Sequence, residues 1–114
     1  DVIIIYMGSN DCASGSVTKE MFDKGYSQML ENLKTLCPDS EIILMTLCTS
    51  PFYDKSEQLA YNEIIKTKAK DFNLSCLDIS QASLAGHLVD SAHPAFSGMK
   101  VVAEKVIEEL NKIA

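Results

Sequence analysis

Three short, mostly apolar runs do most to limit what this chain can become. They are residues 1–7 (DVIIIYM), 41–47 (EIILMTL) and 74–79 (LSCLDI). A run of that length, rich in Ile, Leu and Val and without polar alternation, reads as a strand buried on both faces, as in a parallel sheet. Stretches with helical spacing separate them. Over 18–37 the apolar positions Phe22, Tyr26, Met29, Leu30, Leu33, Leu36 and Cys37 recur at threes and fours, and Pro38, Asp39 and Ser40 stop the stripe. Over 56–72, Ser56 offers an N-cap and Asn73 a C-cap, with Leu59, Ala60, Ile64, Ile65 and Ala69 as the apolar positions. A last helix over 96–113 presents Val102, Val106, Ile107, Leu110 and Ile113. Residues 8–15 read as a loop, and 80–94 as a longer connection with one short helical turn near 82–87. The order β-α-β-α-β-α implies an α/β fold with a parallel sheet and right-handed crossovers. At 114 residues this is one domain with a modest core, and no internal repeat or linker divides it.

Charge narrows the partners. A net charge of −6 and a pI near 4.7 exclude the basic stripe that nucleic acid requires and disfavour an anionic membrane surface. No apolar run reaches the roughly 18 residues of a spanning helix. Asp1 opens directly inside a strand, so the native N-terminus is expected upstream, and the compartment stays open between cytoplasmic and secreted. Cys12, Cys37, Cys48 and Cys76 show no C-x-x-C spacing, which leaves free thiols or a single disulfide and gives no metal site.

In an open parallel sheet, ligands bind beyond the carboxyl ends of the strands. Two polar clusters fall there. Gly8, Ser9, Asn10 and Asp11 follow the first strand; Asp90, Ser91, Ala92, His93 and Pro94 follow the third. A carboxylate three residues before a histidine can reach an imidazole nitrogen in a turn, fix its tautomer and stabilise the imidazolium, leaving the histidine to act as a general base. An amide such as that of Asn10 can donate to a developing oxyanion. Each cluster alone also fits a solvated turn, since Gly, Ser, Asn and Asp are turn formers. Together, on one edge, they make a candidate site.

The chain here resembles the SGNH hydrolases, also called GDSL esterases and lipases. The strand ending in Gly8-Ser9-Asn10-Asp11 is similar to the family's G-x-N-D block, and Asp90 to Pro94 to its D-x-x-H-P block, with Gly98 and the final helix in keeping. The resemblance implies a flavodoxin-like three-layer α/β/α fold. It implies Asn10 as an oxyanion donor, Asp90 and His93 as triad members, and Gly8 and Asp11 as supports of the site loop. It also implies small ester substrates, including acyl esters and O-acetylated sugars, with no cofactor and no metal.

The family's Gly-Asp-Ser and Gly blocks have no counterpart, so residues 1–114 read as a single partial domain, the C-terminal part of the family fold. Ser9, Ser14, Ser16, Ser50 and Ser91 lie in loops on the functional edge, none in a nucleophile context, and Ala95 stands where an Asn is common. Cys12 and Cys48 are the alternative nucleophiles by position. His87 reads as a surface residue of a short helical turn. By the resemblance, the absent first strand would pair with residues 1–7. Val2 to Tyr6 would then form an open apolar edge, covered by the missing N-terminal part, a partner chain or a second copy. The leading expectation is therefore a serine ester hydrolase whose nucleophile lies outside these residues. The alternatives are a non-catalytic binding or assembly module that retains the fold and, less supported for want of any basic residue or P-loop in 8–15, a flavodoxin-like anion-binding domain.

Overall fold

The computed structural model describes residues 1–113. The elements run β1 (Val2–Ile5), α1 (Ser9–Ser14), α2 (Lys19–Leu36), β2 (Glu41–Met45), α3 (Lys55–Asp71), β3 (Ser75–Leu77) and α4 (Phe96–Ile113). The strands form one parallel sheet in the order β1-β2-β3, with Ile4 opposite Ile43 and Leu44 opposite Cys76. Successive strand residues face opposite sides of a sheet. Ile5, Ile42 and Leu44 accordingly join Phe22, Tyr26 and Leu30 of α2 and Tyr61, Ile65 and Ala69 of α3 in one core. Ile43, Met45 and Leu77 join Val102, Val106 and Leu110 of α4 in a second. The result is a three-layer α/β/α arrangement, with β2 central and buried from Ile42 to Met45.

Several local expectations need correction. Residues 8–15 are not a plain loop: Gly8, with φ of 121°, opens the short helix α1, and Gly15, with φ of 69°, closes it. Turn formers are also helix starters and stoppers, so the cluster is locally ambiguous. α3 begins at Lys55 with Asp54 in the cap position, so Ser56 is its second residue. No helical turn forms over 82–87; the segment is held instead by Thr49, whose N–H donates to Ala82 O and whose carbonyl accepts from Leu84 N. Thr18 does start α2, its hydroxyl accepting from Met21 N at 3.1 Å. Asn73 follows α3 with φ of 55°, the left-handed conformation that asparagine tolerates better than most residues.

The buried face of α3 is also not its most apolar one. Leu59 is exposed, whereas Gln58 and Asn62 are each 2% exposed. Asn62 Oδ1 accepts from Leu47 N at 2.7 Å and its Nδ2 donates to Leu47 O at 3.1 Å. Gln58 Nε2 donates to the same carbonyl at 3.1 Å. The chain leaves the sheet after Met45, and these side chains replace the ladder that Leu47 no longer has. Ile107 and Ile113 of α4 likewise fall outside the buried stripe. α4 lies over β3 and leaves the β1 side of the sheet open, with Val2 57% and Ile4 44% exposed.

Below β3, Asp78 accepts from Thr46 Oγ1 at 3.1 Å, Ser80 N at 3.0 Å and Ser80 Oγ at 2.6 Å, and pairs with Lys66 at 3.3 Å. Burial alone would raise its pKa, but the Ser80 and Lys66 contacts overcome this and hold it down at about 2, below the ordinary 3.8. A depressed carboxylate pKa stabilises the fold above the unfolded-state value, and that contribution is lost as pH falls through the folded value. The stability of the chain is therefore expected to drop between about pH 4 and pH 2. Asp78→Asn should flatten that slope in urea melts taken at each pH, and an unchanged slope would refute the assignment.

Candidate active site

The polypeptide reaches the site by a sharp turn at the end of β1. Gly8 is needed there twice over: its φ of 121° is a conformation L side chains rarely adopt, and an added Cβ would lie 2.9 Å from Phe22 Cζ. Gly8 O then accepts from Cys12 N at 2.8 Å, closing the first turn of α1 and setting Asn10, exposed, at its start. Gly8→Ala is expected to cost about 2–4 kcal/mol, combining backbone strain with displacement of Phe22. Thermal melts check this; a loss within about 0.5 kcal/mol, the range of neutral surface changes, would contradict it.

Asp90 and His93 meet as their spacing predicts. Asp90 Oδ1 accepts from Ala92 N at 2.8 Å and from His93 N at 2.7 Å, while Oδ2 lies 2.9 Å from His93 Nδ1. One carboxylate thus closes the turn and engages the ring. The backbone N–H groups of His93 and Ala92, then the His93 ring, hold the Asp90 pKa at about 2. With Nδ1 on Asp90, Nε2 is left for proton exchange. Both side chains are open, His93 at 76% and Asp90 at 53% exposed.

A groove of about 660 Å³ joins the two clusters, lined by Gly8, Ser9, Asn10 and Asp11 on one side and Ala92, His93 and Pro94 on the other. Asp90 stands behind His93 rather than in the wall. Tyr6, Cys48 and Tyr53 form the floor; of these, sequence reasoning singled out Cys48 alone. Tyr6 Oη lies 3.2 Å from Cys48 Sγ. Burial, with Cys48 beside it, pushes the Tyr6 phenol up to about 12, so it remains neutral. The position of Tyr6 just past the end of β1 was the available signal.

The alternative nucleophiles fare poorly. Burial and then Glu57 push the Cys12 thiol up to about 11, the reverse of an activated thiolate, and Cys12 faces a separate polar pocket. Cys48 is 2% exposed. Ser50 Oγ accepts from Phe52 N, and Ser14 and Ser16 bond each other. Among the described residues no serine bonds His93; the histidine with a serine partner is His87, whose Nδ1 lies 2.9 Å from Ser97 Oγ. All four cysteines are free, and no cluster of His, Cys, Asp and Glu suited to a metal occurs among the described residues. No described helix is long and apolar enough to cross a membrane.

The model of the GDSL-like lipase/acylhydrolase family matches residues 1–101. The chain belongs to this family. The structural comparisons agree on the fold. A lipase/acylhydrolase from Enterococcus faecalis superposes with a TM-score of 0.74 at 17% identity, over 96% of this chain and 60% of that one. A carbohydrate esterase family 3 protein from Talaromyces cellulolyticus gives 0.75 at 19%, over 99% of this chain and 58% of that one. A family two carbohydrate esterase from Cellvibrio japonicus gives 0.76 at 19%, over 99% of this chain and 33% of that one. No curated protein matches by sequence. This GDSL-like chain therefore spans about three fifths, or less, of these three solved structures, and carries the α/β/α layers of the family fold over that part.

Proposed function

We propose that these residues are the oxyanion-donating and acid–base portion of a serine ester hydrolase, a single partial domain whose nucleophile is carried by a segment outside residues 1–114. The observation that carries the reading is the 2.9 Å contact between Asp90 Oδ2 and His93 Nδ1, with His93 on the same groove as Asn10. In this reading the serine hydroxyl attacks the ester carbonyl and His93 Nε2 takes its proton. The oxyanion that forms is held by the Asn10 amide. Collapse expels the alcohol, which leaves with the proton from His93. Water then repeats the sequence on the acyl-serine, losing its proton to His93 and releasing the acid. Asp90 keeps its charge throughout and stabilises the imidazolium. Gly8 and Asp11 support the turn into α1 that presents Asn10. No metal or cofactor enters these steps. Small acyl esters are the substrate class; the carbohydrate esterases among the structural neighbours favour O-acetylated sugars within it.

The same segment is the expected cover of β1. Val2, Ile4, Tyr6 and Met7 are exposed, and β1 has a hydrogen-bonded neighbour on one side only. A strand added there would end beside Gly8, at the groove. A stable monomer at low concentration in sedimentation, with no added strand, would count against the need for such a cover.

The decisive experiment treats the 114-residue chain, and a version extended through the upstream strand and helix of its parent, with a fluorophosphonate, and reads intact mass. The extended chain should take one adduct, lost in His93→Ala, and the shorter chain none. No adduct on a folded, extended chain would favour a non-catalytic binding module. An adduct on the shorter chain would place the nucleophile among its own serines and overturn the division of the site.

A further inference from the structure

The turn bearing Asp90 and His93 sits at the end of a long irregular connection, yet the acid–base chemistry proposed for it requires a fixed imidazole. Its own bonds fix the turn internally: Val89 N donates to His93 O at 2.9 Å, and Leu88 bridges Pro94. Leu88 packs against the second core, and the polar tie between this stem and the rest of the molecule is made at His87. Its N–H donates to Leu84 O at 2.9 Å, its carbonyl accepts from Ala95 N at 2.7 Å, and its ring Nδ1 meets Ser97 Oγ, in the first turn of α4, at 2.9 Å. Leu84, 6% exposed, belongs to the core beneath α4. Gly98 completes the clamp, because a Cβ there would come within 2.6 Å of His87 O. Among the described residues, the His87–Ser97 contact is the one side-chain hydrogen bond between the 80–95 connection and α4.

We propose that His87 is a positioning residue for His93: through Ser97 it locks the stem of the Asp90–His93 turn to α4, and so holds the His93 ring on Asp90 and against the groove. The role rests on the reading of His93 as the general base, but the geometry it requires can be measured without any ester. If the stem opens at His87, the Val89–His93 bond above it loosens, and the Nδ1–Oδ2 contact loses the closed turn that brings it within reach.

The test uses the 114-residue chain, labelled with ¹⁵N at histidine and backbone, as wild type, His87→Ala, Ser97→Ala and His87→Asn. The asparagine keeps a hydrogen-bonding atom near the place of Nδ1. Long-range ¹H–¹⁵N spectra at a pH where the rings are neutral give the ratio of Nδ1–H to Nε2–H tautomers of His93, and amide exchange is followed at Val89 and Leu44. Loss of about one net hydrogen bond should lower the tautomer ratio, and raise Val89 exchange relative to Leu44, by about fivefold in both loss variants. His87→Asn should return both toward wild type. An unchanged His93 tautomer ratio in both loss variants would overturn the proposal, as would Val89 exchange that rises only in step with Leu44. Ser97→Ala, at an exposed helix position, leaves the question answerable if His87→Ala folds poorly. Failure of the hydrolase reading would instead appear in the extended chain, as ester turnover indifferent to His93, with these spectra unaltered.

Discussion

Under the proposed reading, His93→Ala, made in the extended chain, is expected to lower kcat by about six orders of magnitude, the scale seen when a triad base is lost. KM should move little, because the imidazole gains its catalytic value as charge develops and contributes less to holding the ground-state ester. Asp90→Asn should cost about four orders of magnitude, for a more particular reason. Its remaining carbonyl oxygen can still accept from Ala92 N and His93 N, so the turn survives, but the amide nitrogen now faces His93 Nδ1 and favours the wrong tautomer. Asn10→Ala should cost less, about 10²–10³ in kcat, as expected for one oxyanion donor of several. Steady-state rates on a short acyl ester check the series. Turnover within about tenfold of wild type in both His93→Ala and Asp90→Asn, little more than one kcal/mol of barrier, would remove the chemical reading altogether.

Asn62→Leu is expected to be the most damaging single change to the fold away from the site. The new side chain matches the apolar surroundings, yet it leaves the Leu47 N–H buried without its 2.7 Å partner and strips the Leu47 carbonyl of one of two donors. An orphaned buried amide and a weakened carbonyl together cost about 2–4 kcal/mol. For a domain of this size that is roughly 10–20 °C in Tm. Gln58→Leu should cost about 1 kcal/mol, since Asn62 still satisfies the same carbonyl. Urea denaturation of both variants provides the comparison, and an Asn62→Leu protein as stable as wild type would mean that water or a shifted backbone serves Leu47 instead.

This network also marks where sequence reading ends. The runs around Ile3–Ile5, Ile42–Met45 and Leu77 announce themselves, because a two-sided buried strand must be apolar at every position, and the parallel order follows from the helices between them. Asp90 and His93 were legible for a similar reason, their contact being local and set by a three-residue spacing. Asn62 and Gln58 were not, because a polar residue on an amphipathic helix is ordinarily a solvent-facing one, and only the path of the chain after Met45 turns them inward. The same blindness led to Leu59 as a buried position, and it hid His87, whose ring partner Ser97 lies on the next element, α4. The helix α1 was missed because Gly8 and Gly15 bound a helix with the same residue types that bound a turn. The open flank of the sheet was legible only through the family resemblance, since nothing in the composition of Val2 or Ile4 distinguishes a covered strand from a bare one.

The double duty of Asp90 has a consequence for how rates should vary with acidity. Two backbone N–H groups and a ring nitrogen already hold this carboxylate, and it gives up its charge only near pH 2. Across the range in which an esterase is ordinarily assayed it is a constant in the rate law, whatever happens to the groups around it. The acid limb of a profile of kcat/KM against pH should therefore rise with unit slope, counting one proton rather than two, and its midpoint should belong to a group other than Asp90.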